Sequence, residues 1–214
     1  MKCLRRISLP TFLIVATLAF ISCNPIPPKG ILAGADTRAE WEATMEIYYQ
    51  AVAEINNLQI QIDSDTDTFM ALSSRGQAQA ESQDIAGLEE TVRELQQISL
   101  HSADLSQQQS DVVTKALESC LYEELIELLE NHLASSASWQ DVFELQAELH
   151  GLVLRAFKAS PGEDLSESED LWAEMGTETE RLNAEAMAVE THRMAREKEI
   201  LAGKIQPSNC RVQE

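Results

Sequence analysis

The sequence predicts an all-α fold, a helical bundle of about five helices with heptad-like stripes. Three observations lead to this expectation. After residue 36 the apolar residues recur at alternating steps of three and four, the spacing that gathers side chains on one face of a helix. Leu, Ile, Val, Met and Ala are plentiful while aromatic residues are only 5% of the chain, so the core should be aliphatic. In the last segment acids dominate from Glu163 to Glu190 and bases follow at Arg193, Arg196 and Lys198, an order that suits a helix dipole.

The first element is not part of the fold. Lys2, Arg5 and Arg6 form a positive head, Ile7 to Ile21 is an almost unbroken apolar run, and Ser22 and Cys23 close it. This order reads as an export signal over residues 1–22. The segment Phe20-Ile21-Ser22-Cys23 resembles the lipobox that ends the leader of a bacterial lipoprotein, with Phe20 standing where an aliphatic residue is usual. The resemblance covers about a tenth of the chain and does not extend to the rest. It implies cleavage before Cys23, a diacylglycerol on its thiol and an acyl chain on the new amino group. It also implies a place in the bacterial cell envelope, facing the periplasm or the cell surface. One acyl chain holds a protein marginally and two hold it firmly. Three other readings stay open: plain secretion without lipid, for which Ala33-Gly34-Ala35 offers an A-x-A pattern far beyond the apolar core, an uncleaved anchor, and an incidental Cys23. The anchor reading has only 15 residues in its apolar run, short of the roughly 20 that span a bilayer.

Residues 23–35 read as a lipidated cysteine and a flexible tether, extended by Pro25, Pro27 and Pro28 and loosened by Gly30 and Gly34. The bundle domain is expected over residues 36–206, with a loose tail at 207–214. Without residues 1–22 the chain keeps 13 basic and 36 acidic residues, a net charge of −23. Such a charge disfavours nucleic acid and anionic lipid surfaces and favours solubility.

Thr37 with Glu40 suggests a capping box for the first helix. Trp41, Met45, Tyr48, Val52, Ile55, Gln59 and Ile62 form its stripe. As a helix, residues 37–62 would run about 39 Å. Asp63-Ser64-Asp65-Thr66-Asp67 predicts a break, because short acidic and hydroxyl side chains favour turns. The alternating oxygens are not a calcium loop: the required glycine and glutamate positions hold Thr68 and Ser74. A second, partly exposed helix is expected within residues 70–110 on Ile85, Leu88, Val92, Leu95 and Ile98, with Gly76 as a turn or a weak point. Residues 111–133 carry the broadest apolar face, with Val113, Leu121, Leu125, Leu128 and Leu129, and suit the bundle centre.

A linker is expected from Ala134 to Ser138. Trp139 and Val142 then open a fourth helix, antiparallel to the third because the link is short. Ser160-Pro161-Gly162 ends it. Ser166 or Ser168 caps the last helix, whose stripe is Trp172, Met175, Thr179, Leu182, Ala186, Val189 and Arg193, and which should stop near Gly203.

Chemistry-bearing motifs are sparse. The residues three before His101, His132, His150 and His192 are Ile98, Leu129, Ala147 and Val189, so no Glu-x-x-His metal pair exists. No H-E-x-x-H, C-x-x-C, phosphate loop or nucleophile elbow occurs, and no metal or cofactor is predicted. Cys120 and Cys210 can form one disulfide in an exported protein, tying the chain end to the middle of the bundle. The other reading is a buried Cys120 and a free Cys210 on the tail. Trp41, Trp139 and Trp172 each fall near a predicted helix start, as core anchors or as an aromatic groove.

The expected function is non-catalytic: a cell-envelope structural or protein-binding role, held at a membrane face by lipid. Partners would be an envelope protein or another copy, met through helical faces. The alternative is an exported ligand- or metal-binding helical protein with its pocket between helices.

Overall fold

The computed structural model describes residues 35–119, 121–158, 166–202 and 210–211. The leader with Cys23, most of the tether and most of the tail lie outside them. Four long helices dominate: α1 (Ala35–Ser82), α2 (Ile85–Leu117), α3 (Glu123–Lys158) and α4 (Ser166–Leu201). Two short strands, β1 (Leu121–Tyr122) and β2 (Cys210–Arg211), complete the described elements. The helices pack in chain order, α1 on α2, α2 on α3 and α3 on α4.

Cross-helix bonds show that each neighbouring pair is antiparallel. Arg75 near the end of α1 donates to Thr91 near the start of α2, and Gln109 donates to the Ile55 carbonyl at the other end of that pair. Gln96 and Ser136 tie α2 to α3 in the same sense, and Ser135 and Glu127 tie α3 to α4. With 48 residues, α1 is about 72 Å long.

The number of helices and their breaks differ from the sequence expectation. There are four described helices in place of five. Asp63–Asp67 is helical, because its polar groups find partners within and across helices. Gln59 donates to Asp63, Thr66 returns its hydroxyl to the Ile62 carbonyl, and Asp65 accepts from His101 and Ser102 of α2. Gly76 is also inside α1, where a Cβ would sit 3.4 Å from a Thr91 methyl. The real turn is at Gln83, whose φ of 61° is left-handed, followed by Asp84, which caps α2 by accepting from the Gly87 amide.

The expected linker at Ala134–Ser138 is the interior of α3. Ser138 bonds back to the Ala134 carbonyl, while Ser135 and Ser136 reach neighbouring helices. The break falls after Leu117 instead, so the broad apolar face of 111–133 is shared by two helices and the turn between them.

That face still forms the main core. Val113, Leu121, Leu125, Leu128 and Leu129 are fully buried, with Tyr48 and Ile55 from α1 and Ile200 from α4. A second cluster joins Ile62, Ala103, Leu105 and Phe143, and a third joins Leu88, Val92 and Leu154 at the opposite end. At the first end β1 and β2 pair antiparallel, Leu121 with Arg211 and Tyr122 with Cys210. No described helix is long and apolar enough to cross a membrane.

Leu128→Ala should destabilise the fold by about 2–5 kcal/mol in chemical denaturation, since a fully buried leucine leaves a cavity behind. Leu100→Ala should stay within about 0.5 kcal/mol, because Leu100 is 54% exposed.

Candidate functional site

Between the first and second apolar clusters lies a polar layer to which all four helices contribute. α1 supplies Asn56 and Gln59, α2 supplies Gln109, α3 supplies His132, Ser135, Ser136 and Trp139, and α4 supplies Glu190 and Arg193. These residues surround a cavity of about 30 Å³, the share of one water molecule.

The layer is held by Arg193. It lies on the inner face of α4, where Thr179, Ala186, Arg193 and Ile200 are buried at intervals of seven. Its Nε donates to Glu190 Oε2 at 2.7 Å and its Nη1 to Glu197 Oε2 at 2.9 Å. The same Nη1 is 3.2 Å from His132 Nε2, a contact that needs the imidazole as acceptor. Tyr48 donates its hydroxyl to the other Glu197 oxygen at 2.9 Å, and Ser135 donates to Glu190 at 2.7 Å. One guanidinium thus links α4 to α3 directly and to α1 through Glu197.

Burial works against the charge on Arg193, but the hydrogen bonds and charge of Glu190, then the charge of Glu197, outweigh it and raise its pKa. His132 goes the other way. Burial, reinforced by Arg193, pushes it down to about 3, so it is neutral and can accept. Burial and then Glu197 push the Tyr48 hydroxyl well above its ordinary value, so it remains a donor. Below this set Gln109 donates to Gln59 at 3.2 Å and accepts from Ser136 at 3.2 Å.

Chemically the layer is an ion-pair and hydrogen-bond network centred on Arg193 and Gln109. Among the described residues no group of three His, Cys, Asp or Glu is placed to hold a metal ion. A second cavity of about 20 Å³ lies between α1, α2 and α3 beside Phe69, Met70 and Phe143. At its edge Asp65 accepts from the exposed His101 at 2.7 Å and from Ser102 at 3.0 Å.

The tryptophans are not brought together. Trp139 borders the polar cavity and stacks on Phe143 with centroids 5.9 Å apart. Trp172 is half-buried and stands 18 residues before Glu190 on the same helix, roughly 27 Å away. The Trp41 side chain lies outside the described residues, as does Cys120. Cys210 enters only through its backbone pairing with Tyr122. Sequence reasoning missed the cluster of Tyr48, His132, Glu190 and Arg193. Its one signal is a polar residue in a stripe of apolar ones: Gln59 and Arg193 both hold such positions.

The neutral histidines make stability depend on pH. His132 sits at about 3 and His150, depressed by burial, at about 4, both below the ordinary 6.5. Between those values and 6.5 the unfolded chain binds protons that the folded chain refuses. Stability is therefore complete above pH 6.5 and falls as pH drops. The loss should reach about 2–5 kcal/mol by pH 4.5 in urea titrations, at up to about 1.4 kcal/mol per unit for each histidine. His132→Gln, which keeps an acceptor for Arg193, should remove about half of that slope; an unchanged slope would clear His132 as a source.

No family model, curated protein or solved structure matches the chain.

Proposed function

We propose that the protein is a non-catalytic component of a bacterial cell envelope. It binds other proteins through its helical surfaces while lipid on Cys23 holds it at a membrane face. The observation that carries this reading is where the polar chemistry goes. The ionic groups Arg193, Glu190 and Glu197 and the amides of Gln59 and Gln109 are spent on one another and on their neighbours, around cavities of about 20 and 30 Å³. Ligand pockets are ordinarily about 300–1,000 Å³. The outer faces of α1 and α4, by contrast, offer long, acidic, solvent-exposed surfaces on helices of 48 and 36 residues. The leader supports the anchor, and Pro25, Pro27 and Pro28 supply a spacer between lipid and bundle.

A disulfide between Cys120 and Cys210 belongs to the same reading. It is supported by the pairing of Cys210 with Tyr122, two residues beyond Cys120 in the chain. An oxidising envelope would let it lock the C-terminal strand onto the α2–α3 turn.

The test is the intact mass of the membrane-associated protein made in a bacterial host, beside Cys23→Ala. The expected mass begins at Cys23, carries acyl chains, and is two hydrogens lighter without reductant than with it. The acyl mass should vanish in the variant. A bare chain beginning elsewhere and found in the soluble fraction would sink the anchor. A mass that does not respond to reductant would sink the disulfide alone. Chemical crosslinking in intact envelopes should then give a heterologous adduct; if none forms, the binding role falls.

A further inference from the structure

The α1–α4 seam differs from the other neighbouring contacts. Backbones approach closely along α1–α2, α2–α3 and α3–α4, but not along α1–α4. The seam is bridged by side chains, with Tyr48 reaching Glu197.

Three apolar residues stand exposed on the rims of this seam, where a solvated face should be polar. Asn56 on α1 and Glu190 on α4 border the same cavity. Ile60 is four residues beyond Asn56, and Met187 and Met194 are three before and four after Glu190, so each lies on the same stripe as its reference residue. These three are 63%, 55% and 44% exposed. Tyr48 faces Glu197 on antiparallel helices, and twelve residues along from that bond on α1 and ten back on α4 bring Ile60 and Met187 to nearly one level. Seven residues further down each stripe stand exposed acids, Asp67 and Glu180.

The floor of the seam carries excess negative charge. Arg193 is paired with both Glu190 and Glu197, while His132 is neutral. Two carboxylates therefore share one guanidinium, and the hydroxyls of Tyr48 and Ser135 stabilise the surplus.

We propose that the α1–α4 seam receives an amphipathic helix of a partner protein. Its apolar side chains pack on Ile60, Met187 and Met194, and its basic side chains meet Glu190, Glu197, Asp67 and Glu180. The proposal rests on the protein-binding reading and names its surface and the chemistry of its partner. A seam between two antiparallel helices suits a third helix, and methionines adapt to what they pack against. A second copy is the wrong occupant, because the chain carries −20 overall and would bring acids to an acidic rim.

The test uses the full chain and a fluorescent 18-residue Leu–Lys peptide with its leucines on one helical face. The control is a scrambled peptide of equal composition. The ordered peptide should bind about tenfold tighter than the scrambled one, and Ile60→Ser with Met187→Ser should remove that advantage. Both positions are exposed, so the variant should keep its circular dichroism spectrum. Equal binding of the two peptides, or no effect of the double change, would overturn the proposal.

In cells, a photocrosslinking amino acid at position 187 and another at position 100 on α2 separate the seam from the wider reading. Adducts to another protein from 187, suppressed by the ordered peptide, support the seam. Adducts from 100 and not from 187 refute the seam and leave a binding role standing. A self-adduct at 187 makes the occupant a second copy and refutes the proposal. Adducts from neither position refute both.

Discussion

Arg193 is the interaction on which the central arrangement depends. Its side chain is only 7% exposed, and it is linked to Glu190, Glu197 and His132 at once. A buried guanidinium is expensive to desolvate, and that cost is met only where several acceptors converge. They converge here because α4 brings Glu190 and Glu197 to either side of Arg193 at i−3 and i+4, while α3 supplies His132. Moving α4 by one turn along α3 would carry both carboxylates with it but would part Arg193 from His132, Glu190 from Ser135 and Glu197 from Tyr48. The network thus selects a register, which apolar packing alone discriminates weakly.

The same logic extends across the layer. Above it lies the cluster around Leu125, Leu128 and Leu129; below it lies the cluster around Ile62 and Phe143. Leucines in such clusters can slide past one another at modest cost. Gln109 cannot, since it donates to Gln59 and to the Ile55 carbonyl while accepting from Ser136. Three helices are held at one height by a single amide. Ser135, Ser136, Ser106 and Ser110 keep the neighbouring interior small, so the polar groups can meet.

The all-α class was legible in the sequence because it depends on spacing, and spacing survives local exceptions. Helix ends were less legible. Asp63–Asp67 and Ala134–Ser138 have the composition of turns, but His101, Ser102, Gln109 and Glu190 on other helices complete their hydrogen bonds. Those partners are about 27 to 55 residues away, beyond the reach of any local rule. The turn at Gln83 was hidden for the opposite reason, since glutamine carries no turn signal and adopts a left-handed φ only because Asp84 can cap the next helix. The polar layer was visible only as Gln59 and Arg193 standing in apolar stripes. What they meet is set by tertiary register.

Charge gives the arrangement its direction. A body with far more acid than base, tethered through Cys23 as proposed, is repelled by anionic lipid headgroups within roughly a Debye length of about 8 Å. In that proposed arrangement repulsion would hold the bundle away from the surface and leave its flanks open to solution. The same field draws cationic partners and orients them before contact. Long-range attraction is blunt, however, because acids occur on every helix. Selectivity needs a place where charge and apolar surface coincide, and Ile60, Met187 and Met194 beside the under-compensated Glu190 and Glu197 form such a place. The buried network thereby serves two ends: it fixes the register of the helices and leaves a residual negative charge in the seam they fail to close.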